Sequence, residues 1–261
     1  MKLIFSLFFL SSWSIFFSQE RIQTTIIDSI SITAKIIYEF DNNVTYYTKE
    51  NVFYKKSEKK EYEYNNFSLG TISKVDLYNP LQLILFYQDF NTVVLLDNQL
   101  TEIYRINGNN LDTPISFGAT GQASQNQIWF YDFFTQKIGL YNFNINTIKY
   151  ISTPLSKAIK YYQSDYNNFY WIDEENNFYQ ISLFGKITSF GTIPLYDKIQ
   201  ITNDKNILYK KSHELFFLNL KENKSYKIDI SKNSFDNFYY KNGILSIFTT
   251  DKVINYKIQL P

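Results

Sequence analysis

The chain has 261 residues, with 26 Lys and Arg against 25 Asp and Glu, a single His and no Cys. That length can hold one large all-β domain without forcing a division in two, and the near-zero charge makes nucleic acid a poor partner. Absence of cysteine excludes disulfides, thiolate metal sites, a Cys nucleophile and an acylated N-terminal Cys, and one histidine excludes a multi-histidine metal centre.

Residues 1–18 carry a single Lys2, then an apolar or hydroxyl run from Leu3 to Phe17, and charge returns only at Glu20. This is the pattern of a secretory signal peptide. The run falls short of the roughly 20 apolar residues that cross a bilayer. Cleavage behind Ser18 is the expectation, although Phe16 is bulkier than the small residue usual near a cut. The remaining chain, 19–261, then carries 25 basic and 25 acidic residues, since only Lys2 is lost. No later run is long enough to span a membrane as a helix, so an exported location is expected, periplasmic or held at the outer membrane through a protein partner.

Thr25-Ile-Ile-Asp-Ser-Ile-Ser-Ile-Thr33 follows as a strand-like stretch with no unit of its own. Beyond it, short β-branched and aromatic runs recur: Asn51-Val-Phe-Tyr, Leu83-Ile-Leu-Phe-Tyr, Gln127-Ile-Trp-Phe-Tyr, Asn168-Phe-Tyr-Trp-Ile, Asn206-Ile-Leu-Tyr and Gly243-Ile-Leu-Ser-Ile. Each follows polar or turn-forming residues, as strands do. Grouped in fours, first strands begin near Ala34, Ile72, Pro114, Ala158, Asp197 and Phe235, at intervals of 38, 42, 44, 39 and 38 residues. Such a period marks a propeller blade.

The second unit is the clearest, with strands at 72–78, 83–87, 93–96 and 102–106. Residues 155–162 have a weak helical alternative, which their Tyr, Ile and Thr content overrides in favour of strand. The last unit has room for three strands, near 235–240, 243–248 and 253–259. Residues 25–33 would supply its fourth and close the ring, removing an open sheet edge. The fold class expected is therefore all-β: a propeller of six four-stranded blades, with five and seven as alternative counts.

The stretch Lys74-Val-Asp-Leu-Tyr-Asn-Pro-Leu-Gln-Leu-Ile-Leu-Phe-Tyr-Gln-Asp-Phe-Asn-Thr-Val-Val-Leu-Leu-Asp-Asn98 resembles a group of exported, propeller-like proteins of flavobacteria. Residues 116–126 with Trp129, 159–162 with Trp171, and Phe238-Tyr-Tyr-Lys-Asn-Gly-Ile-Leu-Ser-Ile-Phe248 are similar too. The resemblance implies a cell-envelope setting in a bacterium of the Bacteroidota and carries over no activity and no catalytic residues.

Catalytic residue types are sparse. His213 sits in Lys210-Lys-Ser-His-Glu214, which reads as a tight turn between strands. Gly108, Gly118, Gly121 and Gly139 lack the strand-loop-helix setting of a phosphate loop. Glu39, Asp76, Asp165, Asp204 and Asp236 fall in or beside first strands, where a lactonase-like propeller would hold a divalent metal, but no repeated spacing joins them into a ligand set. We therefore expect no catalytic residues, no metal and no cofactor. Lys35, Lys74, Lys160 and Lys198 stand near the leading ends of first strands, with Asp41, Asp165 and Asp204 toward the trailing ends. One mouth of a central channel would then be basic, a candidate anion site.

Loops between second and third strands, at 88–92, 132–136 and 173–176, should share a face with the linkers between units. Phe90, Phe133 and Phe134 at their tips are the candidate partner surface. The leading functional expectation is a non-enzymatic exported propeller acting as an interaction or scaffold module. A metal-dependent propeller hydrolase and a glycan binder working through aromatic and Asn-rich loops, tested at Trp129 and Trp171, are the alternatives.

Overall fold

Leu83–Tyr87 and Thr92–Leu96 are buried at every residue. Successive side chains of a strand point to opposite faces, so complete burial requires cover on both sides. Leu83, Leu85 and Tyr87 pack with Tyr46 and Phe53 in one apolar cluster, while Ile84 and Phe86 pack with Phe117, Ile128 and Phe130 in the next. A sheet sandwiched between two neighbouring sheets in this way is the unit of a radial array.

The computed structural model describes residues 21–31, 36–41, 44–202, 205–231 and 234–261, the side chains of 36–41 excepted. The signal segment, Lys35 and Asp204 lie outside these residues, as do the side chains of Glu39 and Asp41. Six antiparallel sheets stand around a channel as a β-propeller. Blade 1 is Ile36–Asp41, Val44–Lys49, Val52–Ser57 and Glu61–Tyr64, and blade 2 is Lys74–Asp76, Leu83–Tyr87, Thr92–Leu96 and Glu102–Asn107. Blade 3 is Phe117–Gln122, Gln127–Asp132, Lys137–Asn142 and Thr147–Tyr150, and blade 4 is Ile159–Ser164, Asn168–Asp173, Asn177–Ser182 and Ile187–Thr192. Blade 5 holds Lys198–Ile201, Ile207–Lys211, Glu214–Asn219 and Lys224–Ile228. Blade 6 takes Asn237–Lys241, Ile244–Phe248 and Lys252–Lys257 from the end of the chain and Thr25–Ser31 from its beginning. First strands begin one to three residues after the starts expected from the repeat.

Each boundary between blades has its own apolar cluster. Trp129, Ile138, Phe169 and Trp171 fill the boundary of blades 3 and 4; Ile172, Phe178, Ile207 and Tyr209 that of blades 4 and 5; Leu208, Phe217, Leu245 and Tyr256 that of blades 5 and 6. Middle strands supply most of this core, which explains their unbroken apolar runs. Outer strands alternate, as Glu61–Tyr64 does with Tyr62 and Tyr64 half-buried between exposed glutamates.

Closure of the ring is antiparallel, with Thr25 opposite Lys257 and Ser31 opposite Lys252. At its centre the Ser246 hydroxyl donates to Asn255 Oδ1 at 2.7 Å, and Asn255 Nδ2 donates to Asp28 Oδ1 at 2.7 Å. Ser246 and Asn255 are each 1% exposed. A buried amide costs free energy unless bonded, so the third strand of the blade carries a polar group that only the correctly registered N-terminal strand satisfies. Just upstream, Arg21–Ile22 adds a fifth, parallel strand to blade 5, unanticipated from the repeat. Asp229 secures that crossing: its amide donates to Ile22 O at 2.9 Å, Gln23 Nε2 donates to its carboxylate at 3.0 Å, and Thr24 Oγ1 to its carbonyl at 2.5 Å.

Asp28→Ala strands the Asn255 amide, and the expected cost is about 1–3 kcal/mol. Urea unfolding should show it as a lower midpoint at unchanged slope. Ser29→Ala, on the same strand, should shift the midpoint by less than about 0.5 kcal/mol.

Candidate functional site

Two regions carry the candidate residues named from the sequence: the face built from linkers and second-to-third turns, here the upper face, and the channel. On the upper face an asparagine in the left-handed conformation precedes the third strand in three blades, at Asn51 (φ 64), Asn91 (φ 48) and Asn176 (φ 64). Asparagine tolerates that conformation better than other residues with a Cβ. Asn51 Nδ2 donates to Gly70 O at 2.6 Å and its Oδ1 accepts from Ile72 N at 3.1 Å. Asn91 does the same one blade on, donating to Ile115 O at 2.7 Å and accepting from Phe117 N at 2.8 Å. Asn176 accepts instead from the Ile193 amide through its carbonyl and from Lys160 Nζ through its side chain. These bonds tie each turn to the linker beside it, and so hold the upper face rigid.

Phe133 and Phe134 stand out from this face at 66% and 85% exposure, and Phe90 is 48% exposed with one ring edge against Gly70. Phe67, in the linker from blade 1 to blade 2, joins them. All four belong to loops of blades 1 to 3. The sequence reading named three and missed Phe67, whose short 3-10 turn, Phe67–Leu69, has no strand pattern to place it. His213 lies in the turn Ser212-His213 between Ile207–Lys211 and Glu214–Asn219, exposed, as expected.

The channel encloses ≈ 920 Å³ lined by first strands of blades 2, 4, 5 and 6, Thr120 of blade 3, and the chain end through Pro261. Neighbouring first strands are coupled by side chains that act as pieces of strand. Gln163 donates to Ile201 O at 3.0 Å and accepts from Ile201 N at 3.2 Å, bracketing one residue of blade 5. Gln200 brackets Tyr240 of blade 6 in the same way, at 2.7 and 2.8 Å. At the lower end Asp76 spans three blades, accepting from Tyr78 N at 2.9 Å, Gln122 N at 2.8 Å and Ser164 Oγ at 3.3 Å. Gly121 permits this approach, since a Cβ there would collide with Ser164 Oγ.

Of the four candidate lysines the structure brings two together. Lys74 and Lys198 line the same cavity, from blades 2 and 5, opposite one another in the ring. Lys160 does not join them: it is exposed on the upper face, 2.8 Å from Asn176 Oδ1 and 4.5 Å from the Tyr196 ring centre. Lys74 crosses in front of blade 3, donating to Tyr162 O at 2.5 Å with its ammonium 3.8 Å from the Tyr162 ring centre. Burial lowers its pKa from 10.5 to about 8, with Asp76 opposing the shift. Burial likewise raises the Tyr161 and Tyr162 phenols.

Of the carboxylates weighed for a metal, Asp76, Asp165 and Asp236 have described side chains. Asp165 caps its own turn, accepting from Asn167 N at 2.7 Å, Asn168 N at 2.8 Å and Tyr170 Oη at 2.7 Å. Asp236 is exposed, and no group of three His, Cys, Asp or Glu side chains among the described residues is placed to hold a metal. Trp129 and Trp171 are not available to a glycan: they are 0% and 4% exposed, packed between blades 3 and 4, with Trp129 Nε1 donating to Asp165 O at 3.0 Å. Second strands face neighbouring blades on both sides, so their indoles cannot reach a ligand.

No protein-family model and no curated protein matches the sequence. Solved structures do match in fold. Virginiamycin B lyase from Staphylococcus aureus superposes with a TM-score of 0.58 at 12% identity, covering 92% of this chain and 96% of that one. A member of the DUF4221 family from Bacteroides vulgatus gives 0.57 at 9%, covering 92% and 99%, and BamB from Moraxella catarrhalis 0.51 at 8%, covering 90% and 99%. At such identities the likeness is one of fold, and the class it defines together with the sheet topology is a six-bladed β-propeller. Among the described residues no helix is long and apolar enough to cross a membrane.

Lys74 has a pH signature. Between about 8 and the ordinary 10.5 the unfolded chain holds the proton that the folded one has released, so stability rises with pH across that window; below 8 both states are charged and the penalty is constant. Lys74→Met removes the penalty. It should stabilise the protein by about 1–3 kcal/mol at pH 7, and the gap to the unaltered protein should shrink steadily between pH 8 and 10 in urea titrations.

Proposed function

We propose that this protein is an exported, non-enzymatic propeller that serves as a protein-interaction or scaffold module in a bacterial cell envelope, with the upper face over blades 1 to 3 as its docking surface. The observation that carries the reading is the exposure of Phe67, Phe90, Phe133 and Phe134 on loops of one face. Large aromatics held on a rigid loop platform lose little conformational entropy when covered, and bury much apolar area. Asn51 and Asn91, bonded to the backbone of adjacent linkers, supply that rigidity.

The lone His213 stands exposed in a turn, and Asp165 is used as a turn cap. The expected signal segment, with a mature chain from residue 19, supports export. A propeller extracellular domain of a one-component system from B. thetaiotaomicron is among the neighbours in fold, at a TM-score of 0.53 and 11% identity, matched over 32% of its length. The resemblance to exported flavobacterial proteins agrees with that setting.

Purified protein immobilised through its C-terminus and incubated with solubilised envelope from its native host should retain a specific protein partner. The double substitution Phe133→Ser, Phe134→Ser should reduce recovery at least tenfold without lowering the melting temperature. Phe184→Ser serves as the control: that ring is 96% exposed in a third-to-fourth turn on the opposite face, and its loss should leave recovery unchanged. Equal loss from both variants would remove the face assignment.

A further inference from the structure

The channel holds two polar groups that the fold does not use up. Thr120 is 1% exposed, lines the cavity, and its hydroxyl has no hydrogen-bond partner among the described residues. A buried hydroxyl left unbonded costs free energy. Lys74 is the second. Its ammonium has three N–H donors and one recorded acceptor, Tyr162 O. Lys74 and Thr120 both abut Tyr162: the ammonium lies over the ring, and the Thr120 backbone sits within hydrogen-bonding reach of the phenol. Among the described residues the carboxylate side chain lining the cavity, Asp76, is already bonded to Tyr78 N, Gln122 N and Ser164 Oγ at the lower end. Across the cavity Lys198 adds a second positive charge, and Ile199 and Tyr161 are among the apolar residues that line it.

We propose that the channel binds a small organic acid, its carboxylate received by the Lys74 ammonium and the Thr120 hydroxyl and its apolar body resting on Tyr161 and Ile199. A carboxylate has two oxygens, and these can take one bond from each donor. Lys198 contributes through the field it adds at the channel mouth. A cavity of ≈ 920 Å³ is within the range of small-molecule sites. The lysine cost described above also favours such a ligand, because an incoming anion stabilises the charged amine. This site is separate from the upper-face aromatics, so loss of one reading leaves the other standing.

The test is a panel of aryl and alkyl carboxylic acids, each paired with its primary amide, scored by saturation-transfer NMR and then by calorimetry on the intact mature protein. Acids should bind saturably and their amides at least tenfold more weakly. Lys74→Met and Thr120→Val should each weaken the best acid about tenfold, while Thr120→Ser should keep its affinity. Lys198→Ala, at an exposed position that tolerates change, should weaken binding two- to threefold, more at low salt. Calorimetry near pH 9 in buffers of different ionisation enthalpy should show net proton uptake, a readout that a purely structural Lys74 would not give. Either no acid binding above its amide, or acid affinity untouched by both Thr120→Val and Lys198→Ala, would overturn the proposal. Equal competition by inorganic phosphate would also overturn it, by showing an anion site with no use for an apolar body.

Discussion

The structure depends on one seam, where the strand near the start of the chain pairs with the strand near its end. In every other blade the four antiparallel strands are consecutive and would form a sheet wherever the ring stood open. Blade 6 alone needs Thr25–Ser31 to travel back to Lys252–Lys257. The apolar face of a blade is covered only when both neighbours are present, so an open ring would leave two sheets half-exposed, together with the unpaired backbone of an edge. The Ser246–Asn255–Asp28 chain of bonds makes the seam specific in register, because slipping Thr25–Ser31 by one residue sends the Asp28 carboxylate to the other face and leaves the buried amide bare. Arg21–Ile22 then carries the same segment onto blade 5, so the beginning of the chain ties two blades together.

A closed ring sets what the rest can do. Middle strands are consumed by packing against both neighbours, which is why Trp129 and Trp171 are core and unavailable for recognition. Chemistry and binding are left to the turns and to the first strands around the channel. On the turns, asparagines at Asn51 and Asn91 lock loop to linker, so the exposed phenylalanines beside them project from a stiff surface. Around the channel, Gln163 and Gln200 lend their amides to adjacent first strands that stand too far apart for backbone pairing. The splay that calls for these brackets also creates the cavity.

Much of this was legible in the residues. The repeat of about forty residues placed all six first strands closely, because strand runs bounded by turn residues recur at a spacing that chance composition does not produce. The spare strand at 25–33 and the missing fourth strand at the end pointed to each other. Other features had no local signal. A two-residue parallel strand such as Arg21–Ile22 leaves no alternation to read. Nothing about Thr120 in sequence distinguishes an unpartnered hydroxyl from any other, and the separation of Lys160 from Lys74 and Lys198 depends on a bond to Asn176 in a turn. The recurring asparagine before the third strand was a readable signal: Asn51, Asn91 and Asn176 hold matching places in their units, and alignment of the units on their third strands would have shown it.

Native-state hydrogen exchange resolved at single amides tests the closed ring most directly. Amides bonded across the seam between Thr25–Ser31 and Lys252–Lys257 should open with the same free energy as those between Leu83–Tyr87 and Thr92–Leu96, deep in blade 2. Seam amides that exchange orders of magnitude faster, while blade 2 stays protected, would contradict the account and show a ring that stands without Thr25–Ser31.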